Sequence, residues 1–242
     1  MKKFITLIAS VLIAFSFTKI VLADGHQVYG PYPITLKGYD GDKTNSVKYT
    51  GQMARHALHD SLKAVVKTGD VAKMMAYYNG EDGLAIVAPA SKGDFVIKQT
   101  MVSEIGSGNL SGKMYKGYIP GWGNLTGPEA LEHMITKAGE VEGGFDPNTG
   151  MDYTQLISKF AMGAVFYNQA VNSYLGSKME IGQKPNSEPY KEGAYYTGKE
   201  HSWDEAFGYW GSAAHALTLS AEQNYNVAKK KDMASADFNG DG

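Results

Sequence analysis

The fold of this chain is decided by one stretch, DYTQLISKFAMGAVFYNQAVNSYL, at residues 152–175. Its apolar and aromatic residues recur every three or four positions, which predicts a helix of about six turns with one face in the core. The members of that face are Tyr153, Leu156, Phe160, Ala164, Tyr167, Val171 and Tyr174. Asp152 and Gln155 stand at capping-box spacing, so the helix is expected to begin there.

The same helical spacing recurs on both sides of this stretch. The predicted helices are residues 51–67, 71–78, 96–105, Pro128 to about 139, 152–175, Thr197 to Trp210, and 213–230. Thr197 and Glu200 repeat the capping-box spacing, and Pro128 suits the first turn of a helix. No β-pattern or repeat competes with this interpretation. The sequence therefore predicts an all-α fold, an irregular helical bundle with long loops.

The N-terminus has the pattern of a cleavable signal peptide over residues 1–23. Lys2 and Lys3 precede an apolar run at residues 4–17, and the small residue Ala23 suits the cleavage site. The apolar run is shorter than the roughly 20 residues of a membrane-spanning helix, which argues against an anchor. We therefore expect a secreted protein, periplasmic or extracellular.

The composition of the full chain narrows the class of protein to which it can belong. Cysteine is absent, which excludes disulfides and a lipid-modified N-terminal cysteine. The net charge of −2 gives no reason to expect nucleic acid or an anionic membrane as a partner. No second apolar stretch is long enough to span a bilayer. We expect an extended lead-in at 24–50 and one helical domain at 51–242, with protein partners left open.

The chemically densest segment is EHSWDEAFGYWG at residues 200–211. On a helix, His201 shares a face with Asp204 and Glu205, three and four positions later. An imidazole and carboxylates that converge in this way bind a divalent metal, or leave one carboxylate as a general base. Glu200 would add an oxygen or hold the imidazole. The alternative is a histidine satisfied by its helix neighbours, with the aromatic residues filling the core.

This segment resembles the signature of an uncharacterised bacterial family close to the imelysins. Residues 50–52 with Arg55 resemble that family's first helix, and residues 160–175 resemble a central one, so the likeness covers roughly 45–242. The resemblance implies an exported all-helical protein with a Gly-x-His-x-x-Glu motif. In the family this motif is linked to metal binding, iron-related uptake or peptidase activity.

Carried onto this chain, the resemblance implies His201 and Asp204 as ligands of iron or zinc. Gly198 lies one position too far upstream for the motif, and Asp204 replaces its glutamate, which weakens the inference of peptidase chemistry. Gln52 and Arg55 are candidate binding residues, since an arginine can hold a carboxylate with two hydrogen bonds.

The chain closes on DFNGDG, residues 237–242. Asp237, Asn239 and Asp241 occupy positions 1, 3 and 5 of an EF-hand calcium loop, and Gly242 occupies position 6. The pattern predicts a calcium loop cut before its last ligands, so we expect a longer natural protein. The alternative is a polar tail.

Three functions are compatible with these patterns. The first is an exported protein that binds a divalent metal, iron or zinc, near His201 in metal uptake or handling. The second is a metallopeptidase or other hydrolase with Glu200 or Glu205 as base. The third is a non-catalytic surface or scaffold module stabilised by calcium. The expected partner is accordingly a metal ion or a small ligand.

Overall fold

The computed structural model describes residues 28–87 and 97–240, and the predicted signal peptide lies outside them. The described chain is mostly helical, as expected. Its α-helices are α1 Thr50–Val65, α2 Val71–Asn79, α3 Val102–Ile105, α4 Gly127–Gly139, α5 Tyr153–Ala161, α6 Gly198–Trp210 and α7 Ala221–Ala228. The only strands in the described residues are the two-residue antiparallel pair β1 Phe145–Asp146 and β2 Met151–Asp152.

The helix predicted at 152–175 is present, but its second half is not an α-helix. Asp152 caps α5 by accepting a hydrogen bond from the Gln155 amide. From Met162 to Tyr174 the chain continues as a π-helix, here called the π segment. Its i→i+5 hydrogen bonds rotate the faces of the helix. Tyr167 is therefore 61 % exposed although the α-helical period places it in the core.

The core lies between α1, α2, α4 and the long helix formed by α5 and the π segment. Its fully buried members include Leu58, Leu62, Met74, Leu131, Ile135 and Ile157. Each such side chain contributes about 1.5–3 kcal/mol through removal from water. The amphipathic pattern of residues 51–67 is confirmed, because Leu58 and Leu62 point into this core from α1.

Two predicted helices are shorter than the sequence pattern indicates. Residues 97–101 are not helical, because the chain there pairs with the segment before it: the Ile86 amide donates to the Thr100 carbonyl at 2.7 Å. α3 begins only at Val102, and residue 96 lies outside the described chain. The helix predicted at 213–230 begins only at Ala221, where Ser220 supplies the N-cap.

The lead-in is non-helical over its described part, residues 28–49, and lies against α6. The Tyr29 amide donates to the Ala214 carbonyl at 2.6 Å. The Tyr29 ring stacks on Phe207 of α6, with ring centroids 3.7 Å apart. Among the described residues no helix has the length and hydropathy needed to cross a bilayer. The lead-in thus contacts α6 at Phe207, whereas the π segment contacts it through Tyr174 and Tyr209, on another side of the helix.

Candidate functional site

α6 begins with the predicted capping box. The Thr197 side chain accepts from the Glu200 amide, and a Glu200 carboxylate oxygen accepts from the Thr197 amide at 2.7 Å. The other oxygen of Glu200 accepts from the Thr35 hydroxyl at 2.7 Å. The Glu200 carboxylate therefore fastens the first turn of α6 to the lead-in.

Asp204 also turns toward the lead-in. The residue is 3 % exposed, and its two oxygens accept from the Tyr29 hydroxyl and from the Lys48 amide, the latter at 3.0 Å. Burial raises the pKa of Asp204 to about 6, against the pull of these two hydrogen bonds. We call the side of α6 that carries Glu200, Asp204 and Phe207 the Asp204 face.

The other side of α6, which carries His201, Glu205 and Tyr209, is called the Glu205 face. Gln52 donates through Nε2 to one oxygen of Glu205 at 2.8 Å, and His201 Nε2 lies 3.5 Å from the other. Burial lowers the pKa of His201, although the Glu205 charge opposes this, so the neutral imidazole is favoured at pH 7. The structure thus brings Gln52, His201 and Glu205 together and separates them from the Glu200 and Asp204 carboxylates.

Arg55 lies in α1 beside the Glu205 face but is committed to the backbone. Its Nε donates to the Asn109 carbonyl at 2.9 Å and its Nη1 to the Gly51 carbonyl at 3.0 Å. A Cβ at Gly108 would lie 2.9 Å from the guanidinium carbon, so a larger residue there would displace the Arg55 guanidinium group. Arg55 therefore holds this loop and adds a positive charge near Glu205.

Two lysines outside α6, which no sequence pattern indicated, lie near the Glu205 face. Lys178 Nζ lies 3.4 Å from the centre of the Tyr174 ring. Lys113 Nζ donates to the Tyr174 hydroxyl at 3.4 Å. Within residues 28–87 and 97–240 neither ammonium group forms an ion pair. Burial lowers the pKa of both lysines, and that of Lys178 falls to about 8.

We call Lys113, Lys178, Tyr174 and Glu205 together the lysine site. Its two lysines lie in single 3₁₀ turns, Ser111–Lys113 and Ser177–Met179, within Gly- and Ser-containing loops. Loops lack the periodic pattern of a helix or strand, so the sequence does not indicate which of their residues face one another. The one available signal was a lysine one or two positions after a glycine, which is too common to indicate a site.

The donors present supply only part of a metal site. His201 and Glu205 offer one nitrogen and one carboxylate, whereas zinc sites use three or four protein ligands. In the part of the chain that the structure describes, no three His, Asp or Glu side chains are grouped to hold a metal ion. A metal at this point would take its remaining ligands from water or from a bound molecule.

The two histidines of α1, His56 and His59, have different hydrogen-bond partners. His56 Nε2 lies 2.9 Å from the Gly208 carbonyl, and its ring stacks on Phe166. His59 Nε2 lies 3.1 Å from the Ser158 carbonyl, while its Nδ1 lies 3.4 Å from Asp60. These contacts tie α1 to α6 and to α5, which is a structural role.

At the end of the described chain, Asp237 accepts from the Gly240 amide at 3.0 Å. Phe238 lies with its ring centroid 5.1 Å from that of His215. Asn239 is described, but Asp241, the third ligand of the predicted calcium loop, lies outside the described residues.

Residues 130–240 match the model of a protein family described as a domain of unknown function (DUF4856). The match includes α6 with His201 and Glu205, and it also includes Lys178 in the turn Ser177–Met179. Gln52, Arg55 and Lys113 precede it, so the site draws on chain inside and outside the matched region. No curated protein and no solved structure matches the chain.

Proposed function

We propose that this protein binds a small molecule that carries an anionic group, a carboxylate or a phosphate, at the lysine site. The observation that carries the proposal is the pair of half-buried ammonium groups, Lys113 and Lys178, without an ion-pair partner in the described chain. Buried charges are normally paired, because their removal from water costs free energy that only a partner offsets. An anionic ligand would be that partner.

The charge balance around Glu205 supports the same conclusion. Arg55, Lys113 and Lys178 bring three positive charges to one carboxylate, and His201 is favoured in its neutral form. The local excess of positive charge attracts anions. Glu205 with Gln52 and His201 forms a second polar end, suited to a hydrogen-bond donor on the same ligand.

The test is calorimetric titration of the purified protein with succinate and with inorganic phosphate. Replacement of both lysines, Lys113→Met and Lys178→Met, is expected to weaken binding at least about tenfold, since charge-assisted bonds contribute about 1.5–3 kcal/mol each. Lys67→Met, at an exposed lysine of the 3₁₀ turn after α1, is the matched control. Undiminished binding by the double variant, or no binding of either anion by the unaltered protein, would refute the proposal.

A divalent metal at His201 and Glu205 is the second candidate. The observation that favours it is the 3.5 Å approach of the His201 Nε2 to a carboxylate oxygen, with a neutral imidazole, the form that binds metal. Elemental analysis of protein purified without chelators is expected to find iron or zinc, and less of it in His201→Ala. Equal metal content in the two proteins would contradict this candidate.

The hydrolase and the calcium-stabilised module remain proposals, and each has its own test. A hydrolase with Glu200 or Glu205 as base requires peptide turnover that a chelator abolishes. A calcium-stabilised module requires a calcium-dependent rise in the melting temperature of a chain extended past residue 242.

We also propose, on the sequence pattern alone, that the protein is exported and that it is related to the imelysins. Export has a direct test. Processing after Ala23 should leave Asp24 as the first residue of the protein recovered outside the cytoplasm, which N-terminal sequencing would identify. Recovery only of a chain that retains Met1, inside the cell, would contradict export.

A further inference from the structure

A cavity lies on the Asp204 face of α6, and its lining includes no residue of the lysine site. It is a cleft of about 430 Å³ between α6, the lead-in and the chain after the π segment. This volume falls within the range of about 300–1,000 Å³ that is usual for small-molecule sites. Tyr32, Pro33, Met179 and Trp203 form its apolar lining. Trp203 is 52 % exposed, so much of its ring is available to a bound molecule.

Two carboxylates, Glu200 and Asp204, also line this cleft. Lys199 lines it as well, but its ammonium group is bonded to the backbone, donating to the Lys178 carbonyl at 3.1 Å and the Glu180 carbonyl at 2.8 Å. The cleft therefore combines aromatic surface with two negative charges, and its one lining lysine is held by carbonyl oxygens.

Both carboxylates of the cleft are already hydrogen-bonded within the protein. Each oxygen of Glu200 already accepts a hydrogen bond, one from Thr35 and one from Thr197. Each oxygen of Asp204 does the same, with Tyr29 and Lys48 as donors. The cleft thus offers negative charge with its carboxylate oxygens already engaged. A quaternary ammonium group has no N–H to satisfy, so it is attracted by this negative charge without needing a hydrogen-bond acceptor.

We infer that this cleft binds an organic cation that carries a quaternary ammonium group. Such a group is attracted to the faces of aromatic rings, best of all to tryptophan, and to nearby negative charge. Trp203 and Tyr32 supply the rings, and Glu200 and Asp204 supply the charge. This inference does not depend on the proposed anion site, which lies on the other face of α6 and uses different residues.

The test compares choline with 3,3-dimethylbutan-1-ol, its uncharged carbon analogue, by calorimetric titration of the full chain. Choline is expected to bind at least about tenfold more tightly, because it carries the positive charge that the ring faces and the carboxylates attract, and the analogue does not. Trp203→Leu should weaken choline binding by a similar factor. Trp210→Leu is the matched control, because Trp210 lies on the same helix, is 70 % exposed and is not among the cleft residues.

The comparison of the two ligands uses unaltered protein, so it decides the matter even if Trp203→Leu folds poorly. Equal affinity for the two molecules would show a merely apolar cleft and overturn the inference. Failure of choline to bind, or undiminished binding by folded Trp203→Leu, would overturn it as well. Succinate binding at the lysine site, measured on the same samples, reports separately on the proposed function.

Discussion

The two faces of α6 both carry a carboxylate, but the two carboxylates have different roles. On the Asp204 face, a carboxylate that is 3 % exposed has both oxygens bonded to the lead-in. On the Glu205 face, the neighbouring carboxylate lies among cations, two of which have no ion-pair partner in the described chain. One position along a helix separates the two side chains by about 100°, which is enough to give them different neighbours.

The difference shows how a structural carboxylate can be told from a functional one. A buried charge whose hydrogen bonds are all made within the protein stabilises the fold, and it can attract a ligand only through its charge. Half-buried charges without partners cost folding free energy, and such local conflicts are characteristic of functional sites. The comparison assigns Asp204 to the first class and Lys113 with Lys178 to the second.

The largest expected effect comes from removal of the Asp204 carboxylate. Asp204→Ala leaves the Tyr29 hydroxyl and the Lys48 amide without their acceptor and frees the lead-in from α6. We expect the free energy of unfolding to fall by about 3–4 kcal/mol, since two bonds to a buried charge are lost. Urea denaturation measures this loss.

The control for this variant is Asp42→Ala, at a carboxylate whose side chain is 89 % exposed. Its free energy of unfolding should change by less than about 0.5 kcal/mol, as usual for surface positions. If the two variants were equally stable, the Asp204 face would not be a structural anchor.

Much of the fold could be predicted from local patterns. The period of α1, the Pro128 start of α4 and the Thr197–Glu200 capping box each depend on residues within one or two turns of one another. These signals are complete in the sequence itself, and the structure confirms them.

The π segment could not be predicted in this way. Residues 162–174 fit an α-helical period, yet they form a π-helix that packs along α6, and no local pattern indicates its i→i+5 hydrogen bonds. The shift exposes Tyr167 and leaves Tyr174 fully buried. The predicted core face is therefore confirmed at Ala164 and Tyr174 but is wrong at Tyr167 and Val171.

The candidate site was predicted only in part, because it joins distant segments. His201 and Glu205 are four positions apart on one helix, and their pairing follows from helix geometry. The separation of Asp204 from them follows from the lead-in, which approaches from more than 150 residues away in the chain. Lys113 and Lys178 meet across Tyr174 only in the folded protein.

An intermediate effect is expected in the pH dependence of stability. The pKa of Asp204 is raised in the folded protein to about 6 from the ordinary 3.8. Between these values the unfolded chain has released a proton that the folded protein retains. The free energy of unfolding therefore falls as the pH rises from about 4 to about 6, by about 2 kcal/mol from this group.

Asp204→Asn should abolish this dependence while it keeps an acceptor for Tyr29. Urea denaturation of both proteins at pH 4, 5, 6 and 7 measures the two slopes. The expected result is a flatter profile for the variant over this window, whatever its absolute stability. Parallel profiles would mean that Asp204 titrates in the folded protein much as it does in the unfolded chain.

The smallest effect is expected on the Glu205 face, and it has the opposite sign with pH. Burial lowers the pKa of Lys178 from 10.5 to about 8, so between these values the folded protein has released a proton that the unfolded chain retains. The free energy of unfolding therefore rises across this window, by less than about 1 kcal/mol because water screens a half-buried group.

Lys178→Met should lose this rise and be no less stable than the unaltered protein at pH 7. Stability curves at pH 7 to 10.5 test both points, with Lys67→Met as control. A clear loss of stability in Lys178→Met at pH 7 would mean that this lysine stabilises the fold, as Asp204 does on the opposite face, and would remove the reason to expect an anion beside it.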